Sequence, residues 1–259
     1  SGSVRRRAFQ TFYRFYEMHK NTFASLLKGN YQELEFIRDI RKYDSALEMA
    51  LDESFIDKKV YTNLIHNVHQ YMDLNVDYQK WKAKELGNSS YHLYDTYVPV
   101  IKLPEKKYTK EEAISLVLEA LKPLKEDYLE HFKKILDSHS VDFYPNEFKH
   151  TGAYHWGCYD SPNYVLLNFN GSVDDVSTLA HEMGHAVHSL YSKENNSFIY
   201  HSYGIFLAEI ASTVNETLLS FYLLNHAQNN EEKKFYLCEF LDKVKATIYR
   251  QTMFAEFES

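Results

Sequence analysis

Cysteine is nearly absent: Cys158 and Cys238 are the only two in 259 residues, too few for a disulfide framework, and neither sits in a CxxC pair. Glycine and proline are also scarce, at 8 and 5, which argues against a turn-rich β fold. No stretch approaches the roughly 18 consecutive apolar residues of a membrane helix, and residues 1–10 lack the apolar run of a secretory leader. No membrane partner is therefore expected, and a cytoplasmic location follows by default. Positive charge is in deficit: the formal net charge is −7 and the basic cluster Arg5, Arg6, Arg7 is three residues long. That excludes an extended phosphate-tracking surface, so nucleic acid is not an expected partner. What is abundant is aromatic, with 22 Tyr and 17 Phe in a chain that is 44% apolar and 25% charged. This balance predicts a mainly α protein with aromatic packing between helices.

Phe9, Phe12, Tyr13, Tyr16, Phe23, Leu26 and Leu27 recur at three- and four-residue steps and predict one long amphipathic helix from Val4 to about Lys28, stopped by Gly29. Helical patterns continue at about 31–41, 44–52, 57–72 and 74–86, the last closing at Gly87, where glycine suits a left-handed cap. Residues 1–100 thus read as a helical bundle region. A linker is expected over 88–107, which holds Pro99 and Pro104. Residues 101–259 form the second region. Thr109-x-x-Glu112 reads as a capping box for a helix to about Leu121, and another follows at about 124–138. Between 150 and 170, two aromatic or branched runs flank Asp160-Ser161-Pro162-Asn163 and predict a β-hairpin. Ser172 and Asp175 then open a helix at 172–191, with later helices at 204–226 and about 231–257.

The helix at 172–191 contains His181-Glu182-Met183-Gly184-His185. Residues four apart on a helix lie one above the other about 6 Å apart, so the two imidazoles can address one metal ion. Glu182 is turned about 100° from His181, where it reaches a water on that metal without being a ligand. Two imidazoles and one carboxylate leave a position open on zinc, which lowers the pKa of water towards about 7, and Glu182 becomes the general base for hydrolysis. An apolar set, Val176, Leu179, Met183, Val187 and Leu190, gives the rest of this helix something to bury.

The third ligand is sought among His188, His201, Glu209 and Glu216. His188 lies about 10.5 Å along the helix from His181, too far for three ligands in one row to surround one ion. Glu209 sits in the apolar run Phe206-Leu207-Ala208-Glu209-Ile210-Ala211, where an unpaired carboxylate costs several kcal/mol. It is the expected ligand, with Glu216 the fallback; otherwise Glu216 and His188 stand behind the ligands, Glu216 bonding a ligand histidine. Tyr154, His155 and Tyr203 are candidate substrate contacts. The hairpin either offers a strand edge to a peptide or only packs under the zinc helix.

His181-Glu182-Met183-Gly184-His185-x-x-His188, followed by Phe206-Leu207-Ala208-Glu209-Ile210-Ala211-Ser212-Thr213-x-Asn215-Glu216, resembles the oligoendopeptidase F family, relatives of thimet oligopeptidase and neurolysin. Gly152-Ala153-Tyr154, Leu166-Leu167-Asn168-Phe169, Tyr94-Asp95-x-Tyr97-Val98-Pro99 and Arg250-Gln251-Thr252-Met253-Phe254-Ala255-Glu256-Phe257 look like further signatures of it. The resemblance implies a helical metallopeptidase core with a small β-hairpin or sheet next to the zinc helix. It also implies one zinc ion per chain on His181, His185 and Glu209, Glu182 as base, and short unstructured peptides as substrates in a cleft between helical lobes. Members are about twice this length and carry, beyond the stretch matching 250–257, a segment whose His and Tyr residues stabilise the oxyanion. The expectation is the central part of an oligopeptide-cleaving zinc endopeptidase. The alternative is a catalytically silent fragment serving as a metal- or peptide-binding module. Nothing in the sequence indicates the oligomeric state.

Overall fold

The structure, a computed structural model, describes residues 1–101 and 106–258; Pro104, within the expected linker, lies outside them. It is mainly helical with one small sheet, as the sequence predicts. Helices α1 (Gly2–Met18), α2 (Lys20–Arg41), α3 (Ala46–Asp52), α4 (Lys58–Gln70) and α5 (Met72–Glu85) come first. Then follow α6 (Lys110–Ala120), α7 (Lys125–Asp137), strands β1 (Val141–Asp142), β2 (Tyr154–Trp156) and β3 (Tyr164–Leu166), α8 (Val173–Asn195), α9 (Ile205–Asn225), α10 (Asn230–Val244) and α11 (Arg250–Glu258).

The chain forms two compact units, Ser1–Lys102 with Leu241–Ser259, and Leu103–Phe240. Residues 241–258, grouped by the sequence reading with the zinc region, join the first unit through long-range bonds. Tyr61 donates to the Ala255 carbonyl at 2.6 Å, Tyr249 to the Tyr71 carbonyl at 2.8 Å, and the buried Lys82 ammonium to both oxygens of Asp242 at 3.0 and 2.8 Å. Asp95, fully buried, accepts Arg5 Nε and Nη2 at 3.0 and 2.7 Å and the His92 N–H at 3.2 Å, so the Tyr94-Asp95 signature pins α1 to a short 3-10 turn. A carboxylate without water is stable only when its lone pairs are filled in this way.

Gly29 does not stop the first helix. The helix breaks instead at His19 (φ −108°, ψ 14°), whose N–H still reaches the Phe15 and Tyr16 carbonyls, and α2 runs through Gly29. A mid-helix glycine costs only about 1 kcal/mol relative to alanine, less than the ladder of bonds on either side. The last expected helix is split by a π-helical turn, Lys245–Tyr249, which needs no glycine or proline and so leaves no mark in the sequence. Gly87 takes φ 70°, the left-handed cap expected of it.

In the second unit α8 is the central element, packed against α6, α7, α9 and the sheet. Its start is fixed by the predicted capping box: Ser172 Oγ accepts the Asp175 N–H at 3.1 Å, and Asp175 Oδ2 accepts the Ser172 N–H at 2.8 Å. Val176, Leu179, Met183 and Val187 are fully buried, together with Phe132, Val117 and Leu219 from the neighbouring helices. Each such side chain contributes roughly 1.5–3 kcal/mol by leaving water. The helix runs four residues past Tyr191, because Ser192, Lys193, Glu194 and Asn195 include no breaker; Asn196 turns to extended backbone.

The hairpin forms with the register Tyr154↔Leu166, His155↔Val165 and Trp156↔Tyr164. A third strand, β1, pairs in parallel with β3, giving the order β1-β3-β2. Two residues are too short for an alternation pattern, which is why β1 is invisible in the sequence. Buried Asn163, in the hairpin loop, donates to the Ala186 carbonyl at 2.9 Å and accepts Lys193 Nζ at 2.6 Å, tying the hairpin to α8.

Candidate metal centre

One turn apart on α8, the His181 and His185 rings lie 4.7 Å apart and nearly perpendicular, with their Nε2 atoms 3.1 Å from each other. Glu209, in the second turn of α9, brings Oε2 to 3.4 Å from both Nε2 atoms. On the far side of the His181 ring, Glu216 Oε1 approaches Nδ1 at 3.1 Å. With a proton on each Nδ1, each Nε2 would carry a lone pair, and the Glu209 oxygen faces both of them.

Three lone-pair atoms meeting at 3.1–3.4 Å repel one another unless a cation lies between them. The edge of a tetrahedron of ligands about 2.0–2.1 Å from zinc is about 3.3 Å, so the residues fit that ion without rearrangement. His181, His185 and Glu209 form the group of potential metal ligands found among the described residues. The Glu209 side chain is 57% exposed while those of the histidines are 26% and 15%, so the centre opens to solvent on the side of α9 that carries the carboxylate.

The surrounding charges act unequally on the two rings. Burial lowers the His181 pKa, but the carboxylate of Glu216 close to Nδ1, aided by Glu182 and Glu209, outweighs it and the net direction is upward. For His185 burial prevails over the Glu209 charge and the pKa falls. Glu182 is buried beside this cluster, its carboxyl pushed above the usual range by burial and by Glu209 and Glu216, against the opposing His181 charge and the His155 backbone N–H.

The remaining predicted residues fall into two groups. Tyr154 projects outward from β2, while His155 turns inward, where burial, with smaller contributions from His185 and Lys193, lowers its pKa to about 4. His188 lies outside the three-ligand group, its ring stacked on Tyr203 at 3.9 Å. The Tyr203 hydroxyl is bonded to Ser189 Oγ at 2.8 Å, which commits it to α8.

Three residues that the sequence reading gave no role determine how α9 meets α8. A Cβ on Gly184 would stand 2.7 Å from Ser212 Cα and 2.9 Å from Ala211 O and Ser212 N, so the helices cross backbone to backbone at this point. Ser212 and Asn215 are fully buried at the crossing. Asn215 donates to the Ala180 carbonyl at 2.9 Å and accepts the Tyr128 hydroxyl at 2.9 Å, a phenol whose pKa burial pushes up to about 12 against that bond. The available signal was a glycine between the two histidines and an asparagine inside an apolar helix.

Gly184→Ala tests the crossing. Alanine adds about 1 kcal/mol of helix propensity, but the atoms it meets are backbone and cannot turn aside, and overpacking typically costs about 1–3 kcal/mol. Glu209 would move with α9. The expected result is a lower melting temperature and zinc binding weakened about tenfold or more; unchanged values in calorimetry and zinc titration would show that the close approach is not needed.

A helix presenting two imidazoles and an adjacent glutamate, crossed by a helix that adds a second carboxylate, is the HExxH arrangement of metallopeptidases. Within that class the chain belongs to Peptidase family M3, which it matches over residues 1–259. It is 40% identical over 255 residues to the oligopeptidase PepF of Bacillus subtilis, covering 98% of this chain and 38% of the relative. It is 39% identical to the chromosomal oligoendopeptidase F of Lactococcus lactis subsp. cremoris, covering 98% of this chain and 42% of the relative. The crystal structure of oligoendopeptidase-F from Enterococcus faecium matches at 32% identity with a TM-score of 0.70, over 100% of this chain and 39% of that one. A structure from Chlamydophila abortus, described as a candidate peptidase, matches at 41% identity with a TM-score of 0.86, over 98% of this chain and 42% of that one. The chain thus spans about two fifths of the length of these relatives. The resemblance seen in the sequence is borne out.

Proposed function

We propose that the chain holds the zinc centre and general base of an endopeptidase that hydrolyses short oligopeptides. The observation that carries this reading is the convergence of His181 Nε2, His185 Nε2 and Glu209 Oε2 on one point beside Glu182. The names of the relatives, oligopeptidase and oligoendopeptidase, supply the substrate class.

Zinc held by these three residues supplies Lewis acidity and lowers the pKa of water towards about 7. Glu182 takes the proton of the attacking water on its carboxylate and returns it to the departing amine nitrogen. Glu216, on the Nδ1 side of His181, keeps that ring oriented. Strand β2 lies at the end of the strand order, next to Glu182, so its outer edge is suited to pairing with an extended peptide, with Tyr154 and His155 as contacts. The stacking of Tyr203 on His188 supports a positioning part for that pair more than direct substrate contact. No described helix is long and apolar enough to cross a membrane.

The test is metal analysis together with cleavage of a quenched fluorescent peptide. One zinc per chain is expected, with cleavage lost on chelation and restored by zinc. A protein that takes up no zinc would sink the proposal.

A further inference from the structure

From the crossing of α8 and α9 we infer that Ser212 is the positioning residue for the third ligand: its hydroxyl holds Glu209 Oε2 in place before any metal arrives. The inference rests on the zinc centre proposed above and adds a residue that touches none of the reacting atoms.

Ser212 Oγ lies 2.7 Å from Glu209 Oε2 and 3.0 Å from the Glu209 backbone carbonyl. A hydroxyl has one proton, so it serves one acceptor at a time, and the charged, nearer carboxylate is the stronger partner. The bland interpretation is a helix serine satisfying itself on the carbonyl three residues back, as such residues often do. The identity of the oxygen separates the two. Oε2 is the same atom that stands 3.4 Å from both imidazole nitrogens. A carboxylate oxygen can accept the Ser212 proton on one lone pair and offer the other to a metal.

Glu209 needs such a tether. Its side chain is more than half exposed and has three torsions to fix, whereas the histidine side chains are only 26% and 15% exposed. Ser212 is a rigid anchor. It is fully buried, its backbone abuts Gly184 between the two histidines, and one turn later Asn215 grips the carbonyl of Ala180, the residue before His181. The anchor of the third ligand is thereby registered against the helix segment that carries the other two.

The test compares Ser212→Ala, Ser212→Cys and Ser220→Ala in the full chain. Ser220 Oγ also bonds a carbonyl one turn back, that of Glu216, at 2.8 Å, but has no ligand oxygen as partner in that bond. Zinc affinity is expected to fall roughly 10- to 100-fold for Ser212→Ala, the usual loss when a partner behind a ligand is removed. Ser212→Cys fills the same space with a weak donor and should fall comparably, while Ser220→Ala stays at the wild-type value. In the cobalt(II)-loaded proteins the visible d–d bands should change in the Ser212 variants and not in Ser220→Ala, a response that lost helix stability alone does not produce. Ser212→Ala with wild-type affinity and an unchanged cobalt spectrum would overturn the assignment while leaving the zinc centre standing. Failure of the wild type to bind zinc would remove both.

Discussion

Glu182→Gln is expected to leave the protein with one zinc per chain and to lower its turnover of a short peptide by about 100- to 10,000-fold, the range for loss of a positioned general base. Glutamine keeps the length and shape of the buried side chain, so the neighbourhood of the site is preserved. What it cannot do is carry a proton from water to the leaving amine. The separation of the two readouts is the point of the experiment. Loss of zinc along with activity would mean that Glu182 supports the metal instead of the chemistry, and unchanged turnover would remove it from the mechanism altogether.

The second large effect concerns the two glutamates of α9. Glu209→Ala removes one of the three proposed ligands, and zinc affinity is expected to fall well beyond the roughly 100-fold that bounds the loss of a supporting partner. Glu216→Ala should fall only within about 10- to 100-fold. The geometry separates them: Glu209 Oε2 faces Nε2 of both histidines, while Glu216 Oε1 faces Nδ1, the opposite side of the His181 ring. A residue facing Nδ1 cannot share the ion that the same ring would bind through Nε2. Competitive zinc titration of the two variants decides the order, and a greater loss from Glu216→Ala would reverse the assignment.

Much of this arrangement is legible along the chain because it is local. The capping box at Ser172, the apolar stripe of α8 and the i, i+4 placement of His181 and His185 follow from the period of a single helix. The same logic failed at Gly29, where a breaker residue was tolerated, and at Lys245–Tyr249, where the helix widens without one. It also failed for β1, whose pairing with β3 is made by a residue pair 24 positions away, Val141 with Val165.

By itself, then, the sequence determined the two histidines, the glutamate beside them and the mainly helical class, since each depends on residues within a few turns of one another. Glu209 could be favoured over Glu216 only on the cost of burying a carboxylate, yet its side chain proves the more exposed of the two, 57% against 15%. Their places on opposite sides of one imidazole were decided by tertiary structure, through the backbone contact of Gly184 with Ser212 and the bond from Asn215 to Ala180. Such contacts join residues 28 and 35 positions apart. The period of a helix carries no information about where another helix crosses it, so the placing of Glu209 and Ser212 beside the two histidines belongs to the packed molecule.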